Sequence, residues 1–297
     1  GALPLKKLVE FCAGGHQVQE FPAFGRPNIS AAHCAQNVPA RVWFEITPTN
    51  VKDGEPGLGN IKTALSCGLH VITASKGPLV LKFDELMEIA MSRNVRILYS
   101  AATAAALPTL DVGAICLAGA HLISAQGILN GTSNYILTHM QEDGATYEAA
   151  LKEAQKLGIA EPDPSYDVEG WETASKLVLL ANGLFRASVS LKDVKVQGIT
   201  TITPEDIKNA RENGQVIRLI GAIRREGDRL KVSVGPEALG KEHPMASVRG
   251  SEKGITYFTD TMDKVTVTGG KSNPLGAAAA MLKDFINLAA CTKFTSG

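Results

Sequence analysis

His70-Val-Ile-Thr-Ala74 is a run of mostly β-branched and apolar residues that stops abruptly at Ser75-Lys76-Gly77-Pro78. Its length and composition read as a short buried strand closed by a turn. Upstream, Arg41-Val-Trp-Phe-Glu-Ile46 has the same character and ends in Thr47-Pro-Thr-Asn50. Downstream, Val95-Arg-Ile-Leu-Tyr99 supplies a third such run. After a Gly/Pro loop over 54–60, residues 61–67 have helical character, with Gly68 as the stop. Phe83, Leu86, Met87 and Ala90 recur at helical spacing over 83–93. Strand, helix, strand, helix, strand predicts a parallel sheet with crossover helices, an α/β fold.

Beyond this unit the pattern becomes helical. Tyr147, Ala150, Leu151, Ala154 and Leu157 share one helix face, capped by Thr146 and stopped by Gly158. A second helix follows Gly170, with Trp171, Ala174, Leu177, Val178, Ala181 and Leu184 apolar. The last hundred residues predict strands at 215–224 and 230–234 around the turn Arg225-Glu-Gly-Asp228. A further pair is predicted at 254–259 and 264–268, then an Ala-rich helix from Gly276 to about Ala290.

Of 297 residues, 44% are hydrophobic and 20% charged, which excludes a disordered or collagen-like chain. Thirty basic side chains balance thirty acidic ones, so no global field favours nucleic acid or an anionic membrane. Pro108 and Asp111 break the longest apolar stretch, 101–125, so it predicts no bilayer span. Five scattered cysteines lack zinc spacing and a disulfide framework. A reduced, cytoplasmic protein is the expectation.

Two glycine-rich loops invite a nucleotide reading and fail it. In Gly57-Leu-Gly59-Asn-Ile-Lys62, Lys62 stands at the third glycine of the dinucleotide fingerprint. In the stretch ending Gly269-Gly-Lys-Ser272, Val265 stands at the first glycine of a phosphate loop. Three polar features stay open on residues alone. Lys76 is either a solvated loop lysine or faces the crevice at the carboxyl edge of the sheet, where ligands collect. Glu161, Asp163, Asp167 and Glu169 form a solvated loop or, stiffened by Pro162 and Pro164, a site for a substrate ammonium. Glu172 and Lys176 are an exposed i,i+4 pair or a desolvated lysine with its partner.

Three blocks in the middle of the chain resemble the homoserine dehydrogenase family. They are Gly127-Ile-Leu-Asn-Gly-Thr-Ser-Asn-Tyr-Ile-Leu137, Tyr147-Glu-Ala-Ala-Leu-Lys-Glu-Ala-Gln-Lys-Leu-Gly-Ile-Ala-Glu-Pro-Asp-Pro164 and Asp167-Val-Glu-Gly-Trp-Glu-Thr-Ala-Ser-Lys176. Glu45-Ile-Thr-Pro-Thr-Asn50 and His70-Val-Ile-Thr-Ala-Ser-Lys-Gly-Pro78 resemble the nucleotide domain of the same family. The resemblance implies reversible oxidation of L-homoserine to L-aspartate 4-semialdehyde with NADP or NAD, in threonine and methionine biosynthesis, by a homodimer.

The resemblance also implies roles. Lys176 exchanges a proton with the substrate oxygen, and Lys76 is catalytic at the nicotinamide edge. Glu161, Asp167 and Glu172 bind substrate, with Gly131 and Thr132 in the loop that closes over it. Thr47, Lys76, Gly158 and Gly270 face the cofactor. The implied architecture is a truncated Rossmann-type parallel-sheet domain, 1–98 with 276–297, and an α+β substrate and dimerisation domain, 99–275.

The chain departs from the family pattern at several points. Glu172 replaces an aspartate. Ser100-Ala-Ala-Thr-Ala-Ala-Ala-Leu107 lacks the acid and glycines of a loop that binds a monovalent cation (Na or K), leaving backbone ligation by Thr103, Ala105 and Leu107. The family's opening strand and glycine-rich pyrophosphate loop have no counterpart, so residues 1–41 read as the remnant of a connection and the chain as amino-terminally incomplete. A second reading, a catalytically silent binding or assembly subunit, follows from that departure. Another amino-acid dehydrogenase is disfavoured by the combined Asn-Gly-Thr-Ser-Asn-Tyr and Glu-Pro-Asp-Pro blocks.

Overall fold

The computed structural model describes residues 3–227, 229–270 and 273–292. The predicted strand–helix alternation is present as a three-stranded parallel sheet, β1 (Val42–Glu45), β2 (His70–Thr73) and β3 (Ile97–Leu98), in that order. Val71 and Ile72 are both fully buried, which is why β2 reads as a continuous apolar run rather than an alternating one. Helices Gly57–Ser66 and Gly77–Ser92 are the crossovers. The second starts well before the residue-83 onset predicted, because Pro78 suits a first helical turn, and it kinks at Lys82.

Residues 3–41 are not a bare connection. They hold helices Leu5–Ala13 and Ala31–Asn37, the latter capped by Ser30, whose hydroxyl accepts the His33 N–H at 3.1 Å. Among the described residues of this stretch only Phe21 and Ala35 are buried, so the segment is weakly packed.

A second sheet has six strands in the order β5-β7-β6-β4-β8-β9. They are β4 (Leu122–Ile128), β5 (Val194–Val196), β6 (Gln215–Glu226), β7 (Arg229–Gly240), β8 (Lys253–Thr259) and β9 (Lys264–Gly269). All pairings are antiparallel except β5 with β7. The β6–β7 hairpin runs beyond its predicted ends, and Asp228 of its turn lies outside the described residues. Strand β4 went unpredicted, since its small residues weaken the alternation. Gly127 is needed there, because a Cβ would stand 2.2 Å from the Gly254 carbonyl oxygen across the β4–β8 pair.

Helices Gly131–Asp143, Tyr147–Lys156 and Trp171–Phe185 are built into the core of this half, with Ile136, Ala154 and Leu177 buried in one cluster with Leu219, Ile223, Val232 and Tyr257. The final helix, Pro274–Thr292, returns to the first sheet. There Met281 packs with Ile72 and Ala101, and the rings of Phe44 and Phe285 lie 5.9 Å apart. Asp284 accepts the Ser100 N–H at 3.1 Å and its hydroxyl at 2.8 Å, which ends β3 early and starts the short helix Ser100–Ala104. Lys283 pairs with Asp111 beside it. No helix among the described residues is long and apolar enough to cross a membrane. Residues 293–297 lie outside the description.

Candidate active site

The Trp171–Phe185 helix is buried over nearly all its circumference, so its polar residues are drawn inside with it. Gly170, at φ +91°, turns the chain into the helix, and a side chain there would press on Val196 and Val234. Glu172 and Lys176 then fall one turn apart on one face. The Lys176 ammonium donates to the Leu129 carbonyl at 2.6 Å and meets Glu172 Oε2 at 2.6 Å. The other carboxylate oxygen, Oε1, lies 3.5 Å from Lys76 Nζ. Lys76 comes from the carboxyl end of β2, so this carboxylate bridges the two halves of the molecule.

Asn130, at the end of β4, completes the cluster. Its Nδ2 donates to Asp167 at 2.7 Å and to Glu172 at 3.1 Å. Its Oδ1 accepts the Ser133 N–H at 2.7 Å and so caps the Gly131–Asp143 helix. Four of the predicted side chains thus converge: Lys76, Asp167, Glu172 and Lys176.

Burial pushes the Lys176 ammonium below the ordinary lysine value, and Lys76 adds repulsion; the Glu172 carboxylate opposes both. Burial would raise the Glu172 carboxyl, but the two ammoniums outweigh it and hold that group well below the usual carboxylate range. Asp167 is raised, by burial first and by Glu172 second. The cluster therefore holds a firm anion between two cations, beside a second carboxylate that ionises less readily.

The remaining predicted residues are more scattered. Gly131 opens the capped helix, and Thr132 donates to the Ile159 carbonyl at 3.1 Å, tying that helix to the loop after Gly158. Gly158 adopts φ +71° after the Tyr147–Lys156 helix. The Glu161 side chain is exposed and, among the described residues, makes no bond to the cluster; its carbonyl accepts from Gln155 at 3.2 Å. Two residues of the site were not singled out from sequence. Asn130 carries a legible signal, a cap residue directly before Gly-Thr-Ser. Lys253 does not: it opens β8, is 1% exposed, and donates to the Ala104 carbonyl at 2.7 Å.

A profile described as homoserine dehydrogenase matches residues 108–286. A homoserine dehydrogenase of Methanocaldococcus jannaschii is 38% identical over 291 residues, covering 98% of this chain and 85% of the relative. The chain belongs to the homoserine dehydrogenase family. An NAD(+)-dependent homoserine dehydrogenase of Pseudomonas canavaninivorans is 38% identical over 84% of this chain and 71% of its own length. A solved homoserine dehydrogenase from Thiobacillus denitrificans superimposes with a TM-score of 0.81 at 28% identity, over 86% of this chain and 58% of that one.

Homoserine dehydrogenases imply a nicotinamide cofactor, and the carboxyl edge of the first sheet fits one end of it. The buried Ser75 hydroxyl has no hydrogen-bond partner among the described residues. It faces the missing side chain of Gly57, whose Cβ would stand 3.2 Å from Thr47 Oγ1 and 3.4 Å from Ser75 Oγ. That cradle, with hydroxyls on its walls, suits a carboxamide. Buried Glu45 steadies it by accepting the Thr47 N–H at 2.9 Å. Among the described residues before β1 there is no strand, and so no strand–glycine-turn–helix for a pyrophosphate.

The expected monovalent-cation loop of the family does not fit a cation here. The Leu107 carbonyl accepts the Thr109 N–H at 2.8 Å, and the Ala104 carbonyl inside the loop is taken by Lys253. The loop offers no acid, and Ser100, where one is expected, is clasped by Asp284. Gly270, at φ +70°, packs on this loop, its absent Cβ 2.8 Å from the Leu107 nitrogen; Lys271 and Ser272 lie outside the described residues.

Proposed function

We propose that this chain catalyses the reversible oxidation of L-homoserine to L-aspartate 4-semialdehyde with NAD or NADP. The observation that carries the reading is the buried Lys176 ammonium, held at 2.6 Å by Glu172, with its pKa lowered by burial. Removing the hydroxyl proton must accompany loss of hydride from the carbinol carbon, and a lysine with a depressed pKa is suited to take it. In the reverse direction it returns the proton to the aldehyde oxygen. A bound nicotinamide supplies the hydride chemistry.

Lys76 keeps the Lys176 pKa down by like charge and neutralises Glu172 from the cofactor side. Half-buried Asp167 bonds Asn130 through one oxygen and offers the other to the substrate ammonium. Glu172 shares that role through its charge, and the Gly131–Thr132 segment covers the substrate. Thr47 and Ser75 receive the carboxamide, with Gly158 and Gly270 toward the rest of the cofactor. The NAD(+) dependence in the name of the Pseudomonas relative supports a nicotinamide. We assign nucleotide binding to 1–98 with 276–297, and substrate binding and dimerisation to 99–275, in a cytoplasmic homodimer.

A second reading is a silent binding subunit, which keeps the Lys176–Glu172–Asp167 pocket without turnover. The discriminating experiment is nicotinamide reduction by L-homoserine, followed by absorbance with each cofactor. Cofactor-dependent turnover that falls about 100-fold or more in Lys176→Ala, with unchanged circular dichroism, is the expected result. No turnover with either cofactor, alongside calorimetric binding of homoserine, would establish the silent reading instead.

A further inference from the structure

Lys253 is among the most deeply buried side chains of the described residues. Among the described residues no acidic oxygen lies within ion-pair distance of its Nζ; its bond is to the Ala104 carbonyl, at 2.7 Å. Burying an ammonium against a neutral carbonyl, with no ion pair to offset the lost hydration, is costly. The Ala104 carbonyl, at the end of the Ser100–Ala104 helix, also accepts the Leu107 N–H at 3.2 Å, so Lys253 takes its second lone pair. The next residue, Ala105, stands at φ +53°, ψ −112°, a conformation that an alanine holds only under constraint. Lys253 therefore pins a strained loop by its backbone. Burial, joined by Lys176 and Lys76 and opposed by Glu172, lowers its pKa to about 7, so it feels the cluster described above and holds its charge most fully below neutral pH.

A singly charged cation bound to backbone carbonyls would perform the same two tasks, ordering the loop and adding one positive charge behind the pocket. Hard cations favour carbonyl oxygen, and an ammonium meets the same oxygen with directed N–H donors. We infer that Lys253 is a built-in monovalent cation: its tethered ammonium holds the Thr103–Leu107 loop, and the protein needs no sodium or potassium. Tethering matters because, below the lysine's own pKa, a covalently attached charge is present at any salt concentration, so the comparison below is made at pH 6. Lys253 is a positioning residue, since it reaches the substrate only through the loop and through its charge.

The test compares potassium, sodium and choline chlorides at equal ionic strength, reading Tm and kcat/KM. The wild-type protein is expected to show the same Tm and the same kcat/KM in all three. Lys253→Ala, which opens a cation-sized space on the Ala104 carbonyl, is expected to lose Tm and about tenfold in kcat/KM in choline, and to regain both in potassium or sodium. Where Lys253→Ala does not fold, Lys253→Met keeps the stem without the charge. It is expected to fold and to lose kcat/KM in every salt. The inference is overturned by a wild-type Tm that rises with sodium or potassium over choline. A folded Lys253→Ala whose losses no cation restores, or a Lys253→Met equal to wild type, overturns it as well. The Tm comparison needs no turnover, so it stands apart from the dehydrogenase reading on which the kinetic arm rests.

Discussion

The Lys176 ammonium and the Glu172 carboxylate, one turn apart on a buried helix, meet at 2.6 Å with neither side chain more than 14% exposed. Removing one partner of such a pair strands the other charge inside the protein. Glu172→Gln should therefore lower the free energy of unfolding by about 3 kcal/mol, measured in urea at neutral pH. A loss under 1 kcal/mol, about that of an exposed pair, would show that the ammonium finds water instead.

The same carboxylate predicts a pH dependence with a definite sign. Its folded pKa lies below the unfolded value of 4.5, so its contribution is present above 4.5 and is lost as pH falls toward the folded value of about 2. Acid unfolding of the wild-type protein should steepen across that window, and Glu172→Gln should flatten it. Parallel curves would refute the assignment.

Lys76 lowers Lys176 by repulsion. Lys76→Gln removes that charge, so the Lys176 pKa should rise and the limb of the kcat/KM profile for homoserine oxidation should move to higher pH. A limb that stays in place, or moves to lower pH, would take Lys76 out of the electrostatics of the site.

Asn130 has two duties, a helix cap and a donor to both carboxylates. Asn130→Ala should cost about 1 kcal/mol for the cap and about 2 kcal/mol more for the carboxylates left short of a donor. Urea unfolding checks the sum, and a rise in KM larger than the fall in kcat would mark Asp167 as the ammonium site. An unchanged KM would remove Asp167 from that role.

Gly127 lets β4 and β8 approach, and the atom a methyl group would strike is backbone. Gly127→Ala should destabilise by about 3 kcal/mol, seen as a large drop in Tm. A Tm within experimental error of wild type would mean that the strands can part at little cost.

What was legible in the sequence follows from how local the physics is. The runs at Val42 and His70 gave strands within a residue or two of their ends. At His70 the reason is that a strand buried on both faces is apolar throughout, whereas at Val42 Phe44 is exposed and the β-branched and aromatic residues carried the reading. The 230–234 strand was read far too short, since Pro236, Glu237 and Gly240 look like breakers and yet lie on a strand paired with β6. Helix Pro204–Glu212 was not read, although Thr203-Pro-Glu-Asp206 is a capping box with proline at the helix start. At the site, Lys76, Asp167, Glu172 and Lys176 were found through motif blocks, while spacing alone left each one open. Lys253 was invisible because its partner is a carbonyl 149 positions away, and no side-chain pattern encodes a backbone acceptor.

Ser100 and Asp284 are clasped across 184 positions of chain. That clasp has a consequence in time rather than in space. Lys253 holds the segment at Ala104, but its start at Ser100 is anchored when the last helix docks, so the rear wall of the pocket depends also on one of the most distant pairings in the molecule, of the kind that closes slowly. A nascent chain can build both sheets and still wait for Lys283 and Asp284 before the lysine cluster has a fixed floor.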